Sequence, residues 1–231
     1  MCDRCRGVMV TAIDCSNIAG HSALLMTEQL MTEGIRCELI SWERFHELAR
    51  ELAFAIHRAG FRPELIIAIG RGGYMPARII SDYLDVYDLT DIRIEHYHAV
   101  HMQRLARVRY PLAADIAGKR VLLIDDVSDS GSTFEAAIQH LREHGEPARL
   151  GTAVLHHKRV SSYKADFYAE EVSEWHWITY PWAVMEDLRS FLHDMDPPPA
   201  TVEEFARQLY RRHGLEVGQQ TLHDVFTMSL A

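Results

Sequence analysis

The run Val121-Leu122-Leu123-Ile124-Asp125-Asp126-Val127-Ser128-Asp129-Ser130-Gly131-Ser132-Thr133 gathers the groups best suited to act on a small substrate. Four apolar residues read as a buried strand. Two adjacent carboxylates follow, then a hydroxyl-rich turn containing a glycine, then a helix start. Backbone N–H groups at a helix start, with the hydroxyls of Ser130, Ser132 and Thr133, suit a dianionic phosphate. Each hydrogen bond to a charged oxygen is worth about 1.5–3 kcal/mol net, so a handful can hold a phosphate without any lysine. Asp125 and Asp126 would repel that phosphate. They suit a vicinal diol, or water held around a magnesium ion. Phosphate and diol at this separation describe a ribose 5-phosphate. Successive side chains of a regular strand point to opposite faces. The expectation is therefore a strand ending at Ile124 and a polar loop over 125–132 that turns both acids to one sugar. The chain has no Gly-x-x-x-x-Gly-Lys-Ser/Thr run, which argues against a P-loop nucleotidase.

Alternating strands and helices must position this loop. Ser41 reads as a cap for a helix with Glu43 in its first turn, and Phe45, Leu48, Leu52 and Ile56 recur at helical spacing up to Gly60. Leu65–Ile69 reads as a buried strand between Pro63 and Gly70, with a tight Gly70-Arg71-Gly72-Gly73 loop and a helix over 76–84 behind it. A strand over 92–97, a long arginine-bearing loop over 99–117, a helix over 133–144 closed by Gly145, and strands over 150–155 and 167–169 complete the core. The order implies an α/β fold with a mostly parallel central sheet flanked by helices. Helical residues 186–193, the break at Pro197-Pro198-Pro199 and the capping box Thr201-x-x-Glu204 predict a helical tail. The expected division is an irregular arm over 1–36, a single α/β domain over 37–196 and a helical extension over 197–231.

The acidic loop resembles the phosphoribosyl-pyrophosphate signature of the type I phosphoribosyltransferases over thirteen consecutive positions. The resemblance implies that fold, the donor 5-phosphoribosyl 1-pyrophosphate (PRPP), and Mg2+. Asp125 and Asp126 then face the ribose hydroxyls and the metal, directly or through water, and Ser130, Gly131, Ser132 and Thr133 take the 5′-phosphate. Asp129 lies by the purine five-membered ring as the catalytic proton acceptor. Gly70, Arg71 and Gly72 resemble the pyrophosphate loop, where glycines let the backbone approach phosphate and Arg71 offers a forked donor. Relatives often carry a non-proline cis peptide there, and Gly70–Arg71 is the matching bond. Lys158, followed nineteen residues later by Trp177-Ile178-Thr179-Tyr180-Pro181-Trp182, resembles the bacterial xanthine–guanine phosphoribosyltransferases. That implies Lys158 on a 6-oxo group, Trp177 stacked on the base and the Ile178 backbone at its edge. An aromatic face is worth about 1–3 kcal/mol per base, and an ammonium favours an oxo group over an exocyclic amine. Relatives hold a second magnesium with an acid close behind the aromatic segment; here Ala183 and Val184 come first, and Asp187 is the candidate, with Glu186 beside it. Residues 99–117 match in place a mobile hood. His96, His98, His101, His156 and His157 read as surface, edge or packing residues. Relatives are dimers or tetramers, which implies a homo-oligomer.

Composition agrees with a globular protein: 231 residues, 48% hydrophobic and 25% charged. A net charge of −9 and a pI near 5.8 argue against nucleic acid or an anionic membrane as partner. The apolar run Leu65–Ile69 is far shorter than a membrane span. Cys2-x-x-Cys5 has half a zinc-ribbon spacing with no second pair, so Cys2, Cys5, Cys15 and Cys37 read as free thiols. The start resembles no secretion signal, and a cytoplasmic location is expected. The functional expectation is transfer of 5-phosphoribosyl from PRPP to hypoxanthine, guanine or xanthine in purine salvage. The alternatives are a transferase for another base and a PRPP-binding regulator without transferase activity.

Overall fold

The structure, a computed structural model, describes residues 34–98 and 104–229. Cys2, Cys5, Cys15 and His101 lie outside the described residues, as do most of the 1–36 arm and the side chains of His96 and His98. The elements are β1 (Cys37–Leu39), α1 (Trp42–Arg58), β2 (Leu65–Gly70), α2 (Tyr74–Leu84), β3 (Leu89–His98), β4 (Arg104–Tyr110), β5 (Arg120–Ser128), α3 (Ser132–His144), β6 (Arg149–Lys158), β7 (Phe167–Val172), β8 (Trp177–Thr179), α4 (Val184–His193), α5 (Val202–His213) and α6 (Gln219–Ser229).

Six strands form one sheet in the order β4-β3-β2-β5-β6-β7, parallel except for the antiparallel β3–β4 pair. The inner strands are apolar without interruption because both faces are covered. Ile66, Ala68, Leu122 and Ile124 pack on one side with Leu48, Leu52 and Ile56 of α1 and Ala77 and Ile80 of α2. Ile67, Ile69, Val121 and Leu123 pack on the other with Phe134, Ala137 and Leu141 of α3. Ser41 caps α1 as expected, its Oγ accepting from the Arg44 N–H at 3.1 Å. From β2 the chain winds to β3 on one side, and β5, β6 and β7 follow on the other. The winding therefore reverses between the carboxyl ends of β2 and β5, the place where open α/β sheets bind ligands.

Two segments differ from expectation. β5 does not stop at Ile124: its ladder with β6 continues through Asp125↔Val154, Val127↔His156 and Ser128↔His157. The polar residues there still have a partner strand on one side, and backbone pairing outweighs their weak strand preference. Within the expected 99–117 loop, Arg104–Tyr110 forms β4. Its arginines obscure an alternation in which Ala106 and Val108 reach the core beneath.

β1 pairs in parallel with β8, forming a two-stranded sheet apart from the main one. The tail is helical as expected and shares a third core with α4: Leu188 and Phe191 meet Phe205 and Leu209 of α5 and Leu222 and Val225 of α6, with Trp177 and Cys37 against the cluster. Thr201 caps α5 through the Glu204 N–H at 3.2 Å, while the Glu204 carboxylate accepts from Ala200 rather than from the cap residue. No helix among the described residues is long and apolar enough to cross a membrane.

Candidate active site

A cleft of about 910 Å³ opens at the β2–β5 winding reversal. Its walls are the Gly70–Gly72 loop, the 125–134 segment, Trp175, Trp177, Ile178, Tyr180, Trp182, Glu186 and Asp187.

Asp125 and Asp126 both reach this cleft although both lie inside β5. On the β2 side the ladder ends at Ala68↔Ile124, and beyond it the Gly70–Gly73 loop rather than a paired strand lies against β5. The Asp126 N–H donates to Asp125 Oδ1 at 2.9 Å. Burial, then the neighbouring charge of Asp126, pushes the Asp125 carboxyl well above the ordinary carboxylate range. Burial also raises Asp126, to about 6, with the Asp187 charge adding to it. The Trp182 indole N–H opposes that rise without closing a hydrogen bond of standard geometry. Behind the pair, the Tyr180 hydroxyl donates to the Asp126 carbonyl at 3.0 Å and lies 2.7 Å from His156 Nδ1. His156 and His157 are buried packing residues. Two crowded acids with raised pKa values are chemically suited to hydroxyl donors and to a hydrated divalent cation, either of which stabilises the ionised form.

The turn after β5 is held from behind by a segment the sequence reading passed over. The Ser162 N–H donates to the Ser130 carbonyl at 3.0 Å, and Ser128 Oγ lies 2.8 Å from Ser161 Oγ. Ser130 and Ser132 hydroxyls are 2.9 Å apart. α3 begins at Ser132, its cap residue Gly131 offers no side chain, and the Ser132 N–H makes only a long 3.4 Å bond to Ser130 Oγ, an arrangement that suits an anion. Gly131 has φ 92°, and a Cβ there would stand 2.5 Å from the Tyr163 nitrogen. Gly131→Ala is therefore expected to cost about 1–3 kcal/mol, visible as a drop of roughly 2–12 °C in Tm. An unchanged melting curve would contradict the close packing of this turn.

The Gly70–Arg71 peptide is cis, at the bond the resemblance indicated. A Cβ on Gly72 would collide with the Asp126 carboxylate, and one on Gly73 with the Ile124 and Ile69 carbonyls. Glycine thus brings this loop against the acid pair. Arg71 is ion-paired across the cleft with Glu186, a partner 115 residues away in sequence.

At the other end, Lys158 is the last residue of β6 and is 2% exposed. Its Nζ lies 3.2 Å from Asp129 Oδ2 and 4.6 Å from the centre of the Trp175 ring. Burial lowers the Lys158 pKa, and the Asp129 carboxylate opposes the shift. Trp175, absent from the sequence expectations, donates its indole N–H to Asp129 Oδ1 at 2.9 Å. Trp177 lines the cleft and donates to Asp187 Oδ2 at 2.9 Å. The Asp187 carboxyl is raised by burial and lowered by that indole. Ile178 is held in the β1–β8 pair opposite Glu38. The expected residues therefore converge on one cleft, except that Lys158 is covered by Trp175 and does not line it.

Residues 38–187, more than half of the chain, match the family described as phosphoribosyl transferase domain. The chain belongs to that family. As a type I phosphoribosyltransferase it is 28% identical to a purine phosphoribosyltransferase from Pyrococcus horikoshii, with a TM-score of 0.56 over 64% of this chain and 94% of that one. A Helicobacter pylori xanthine-guanine-hypoxanthine phosphoribosyltransferase shares the fold, at 24% identity and a TM-score of 0.55 over 67% of this chain and 99% of that one. Bifunctional protein PyrR 1 of Lactiplantibacillus plantarum is 42% identical over 69 residues, which is 29% of this chain and 38% of the relative. The chain thus spans well under half the length of that curated relative.

Proposed function

We propose that this protein transfers the 5-phosphoribosyl group of PRPP to N9 of a 6-oxopurine (hypoxanthine, guanine or xanthine) and releases pyrophosphate. The reading rests on one observation: a paired acid and a helix start whose cap residue is a glycine share a single cleft with three indoles and Asp129, whose Lys158 partner lies just behind the wall.

Asp125 and Asp126 bind the ribose hydroxyls. The 130–133 turn holds the 5′-phosphate through amide and hydroxyl donors. Gly70 and Gly72 admit the pyrophosphate to the backbone, and Arg71 exchanges Glu186 for its oxygens. Asp125 and Asp126 would also hold Mg2+: no cluster of three or more ligating side chains forms among the described residues, and two adjacent carboxylates fit an ion that keeps most of its water. When bound, the ion adds positive charge against the departing pyrophosphate. Trp177 stacks on the base, the Ile178 backbone meets its edge, and Lys158 donates to its oxo group. As N9 bonds to C1′, the C1′–O bond breaks and its electron pair leaves on pyrophosphate. Asp129 accepts the proton from N7. Exclusion of water by the β3–β4 arm protects the activated sugar from hydrolysis.

The Pyrococcus horikoshii protein, named for purine transfer, supports this reading. A second reading is transfer to another base, or donor-linked regulation. It draws on the match to a protein named bifunctional rather than for purine. Pyrophosphate release from PRPP, measured with each 6-oxopurine, adenine and uracil, with and without Mg2+, separates them. We expect magnesium-dependent release with a 6-oxopurine. Release with uracil alone supports the first part of the second reading, and donor binding without release on any base supports the second.

A further inference from the structure

Asp129 has both carboxylate oxygens occupied. Oδ2 holds the Lys158 ammonium at 3.2 Å, and Oδ1 holds the Trp175 indole N–H at 2.9 Å. These donors differ in what catalysis asks of them. On the purine-transfer reading, Lys158 must turn to the oxo group of the base and so must release Oδ2. To reach the cleft the ammonium must pass the Trp175 ring that lies over it, but the indole N–H is on the other oxygen, so Lys158 can leave Oδ2 without breaking that bond. Trp175 is also set on a braced turn: His176 Nε2 lies 2.9 Å from Glu38 Oε2 of β1, and the Trp177 N–H donates to the Arg36 carbonyl at 2.9 Å. Trp175 is itself 47% exposed, and it is held through these ties of its neighbours to a second strand; the Asp129 side chain, 39% exposed, has only the indole left to hold it once its ammonium partner leaves.

We propose that Trp175 is a positioning residue: its N–H holds Asp129 Oδ1 while Lys158 moves from Oδ2 to the oxo group of the base, leaving Oδ2 aimed at the N7 proton. The proposal rests on the purine-transfer reading above. Trp175 touches neither sugar nor leaving group in this role, so its loss spares donor binding.

Two variants divide the indole into its parts. Trp175→Phe keeps a ring over Lys158 and removes the N–H; Trp175→Gln keeps an N–H at similar reach and removes the ring. Positioned proton transfer contributes about 10²–10⁴ in rate, and loosening its carboxylate should forfeit a part of that. In single-turnover measurements on the full chain with PRPP, Mg2+ and the preferred 6-oxopurine, Trp175→Phe is expected to slow transfer about 10–30-fold. Its KM for PRPP should stay within about twofold. Trp175→Gln should recover most of the rate. Melting curves taken in parallel identify loss of folding. If Trp175→Phe equals wild type, or if Gln is slower than Phe at equal stability, the N–H role is wrong. If both variants lose stability and all kinetic constants fall together, Trp175 is structural and the proposal is overturned. Wild-type protein that releases no pyrophosphate with any 6-oxopurine overturns the purine-transfer reading, and this proposal with it.

Discussion

Asp129→Asn should lower turnover by about 10²–10⁴-fold, the range that a positioned general base supplies, while PRPP affinity stays within about threefold. Asparagine keeps the shape, and its single carbonyl oxygen can still accept from the Trp175 indole, but the NH2 that replaces Oδ2 cannot accept from Lys158, so a melting curve on the same preparation accompanies the kinetics. The amide cannot accept the N7 proton. Asp129 also stands at the Lys158 end of the cleft, away from the acid pair that meets the sugar. Rapid-quench turnover and equilibrium donor binding on the same preparation check the split. Equal losses in both would assign Asp129 to the donor site.

Asp126→Asn should make the protein more stable and nearly inactive. Burial, with the Asp187 charge adding to it, pushes the Asp126 carboxyl up to about 6. A carboxyl with a raised folded pKa gives stability that is complete below the unfolded value, about 3.9 for aspartate, and lost as pH rises through the folded value. Without magnesium, wild-type stability should therefore fall between roughly pH 4 and pH 7, and the Asn variant should flatten that slope. Each pH unit of displacement is worth about 1.4 kcal/mol. Asp126 keeps some contact with solvent, so a gain of about 1–2 kcal/mol at pH 8 is expected, or about 4 °C in Tm. The same substitution removes a charge from the sugar and metal grip, and kcat/KM for PRPP should fall at least about 100-fold. Added Mg2+ should raise the wild-type Tm more than that of the variant. A variant that melts earlier at pH 8 would contradict the crowding of these acids.

The inner strands are legible in the sequence because burial on both faces demands unbroken apolar runs such as Leu65–Ile69 and Val121–Ile124. The helix caps at Ser41 and Thr201 are legible because their geometry is local. The Asp125–Thr133 chemistry is legible because its groups are contiguous, and the cis Gly70–Arg71 bond was anticipated through the family resemblance. Long-range partners were not. Arg71 finds Glu186, Asp129 finds Trp175, and Ser130 finds Ser162, each across a gap no local pattern spans. Trp175 carried one faint signal: an aromatic two residues before Trp177, which an extended backbone sends to the same face. The continuation of β5 through two aspartates was missed because residue type says loop, while the ladder with β6 is available whatever the side chains.

Calorimetric titration of PRPP with Mg2+ into wild-type protein and into the Asp125→Asn/Asp126→Asn double variant tests the central claim most directly. Wild type should bind with a dissociation constant in the range of about 1–100 µM, a common span for enzyme substrates, and the double variant should lose at least about 30-fold while remaining folded. Equal affinity in the two proteins would mean that the acid rim of β5 does not grip the phosphorylated sugar.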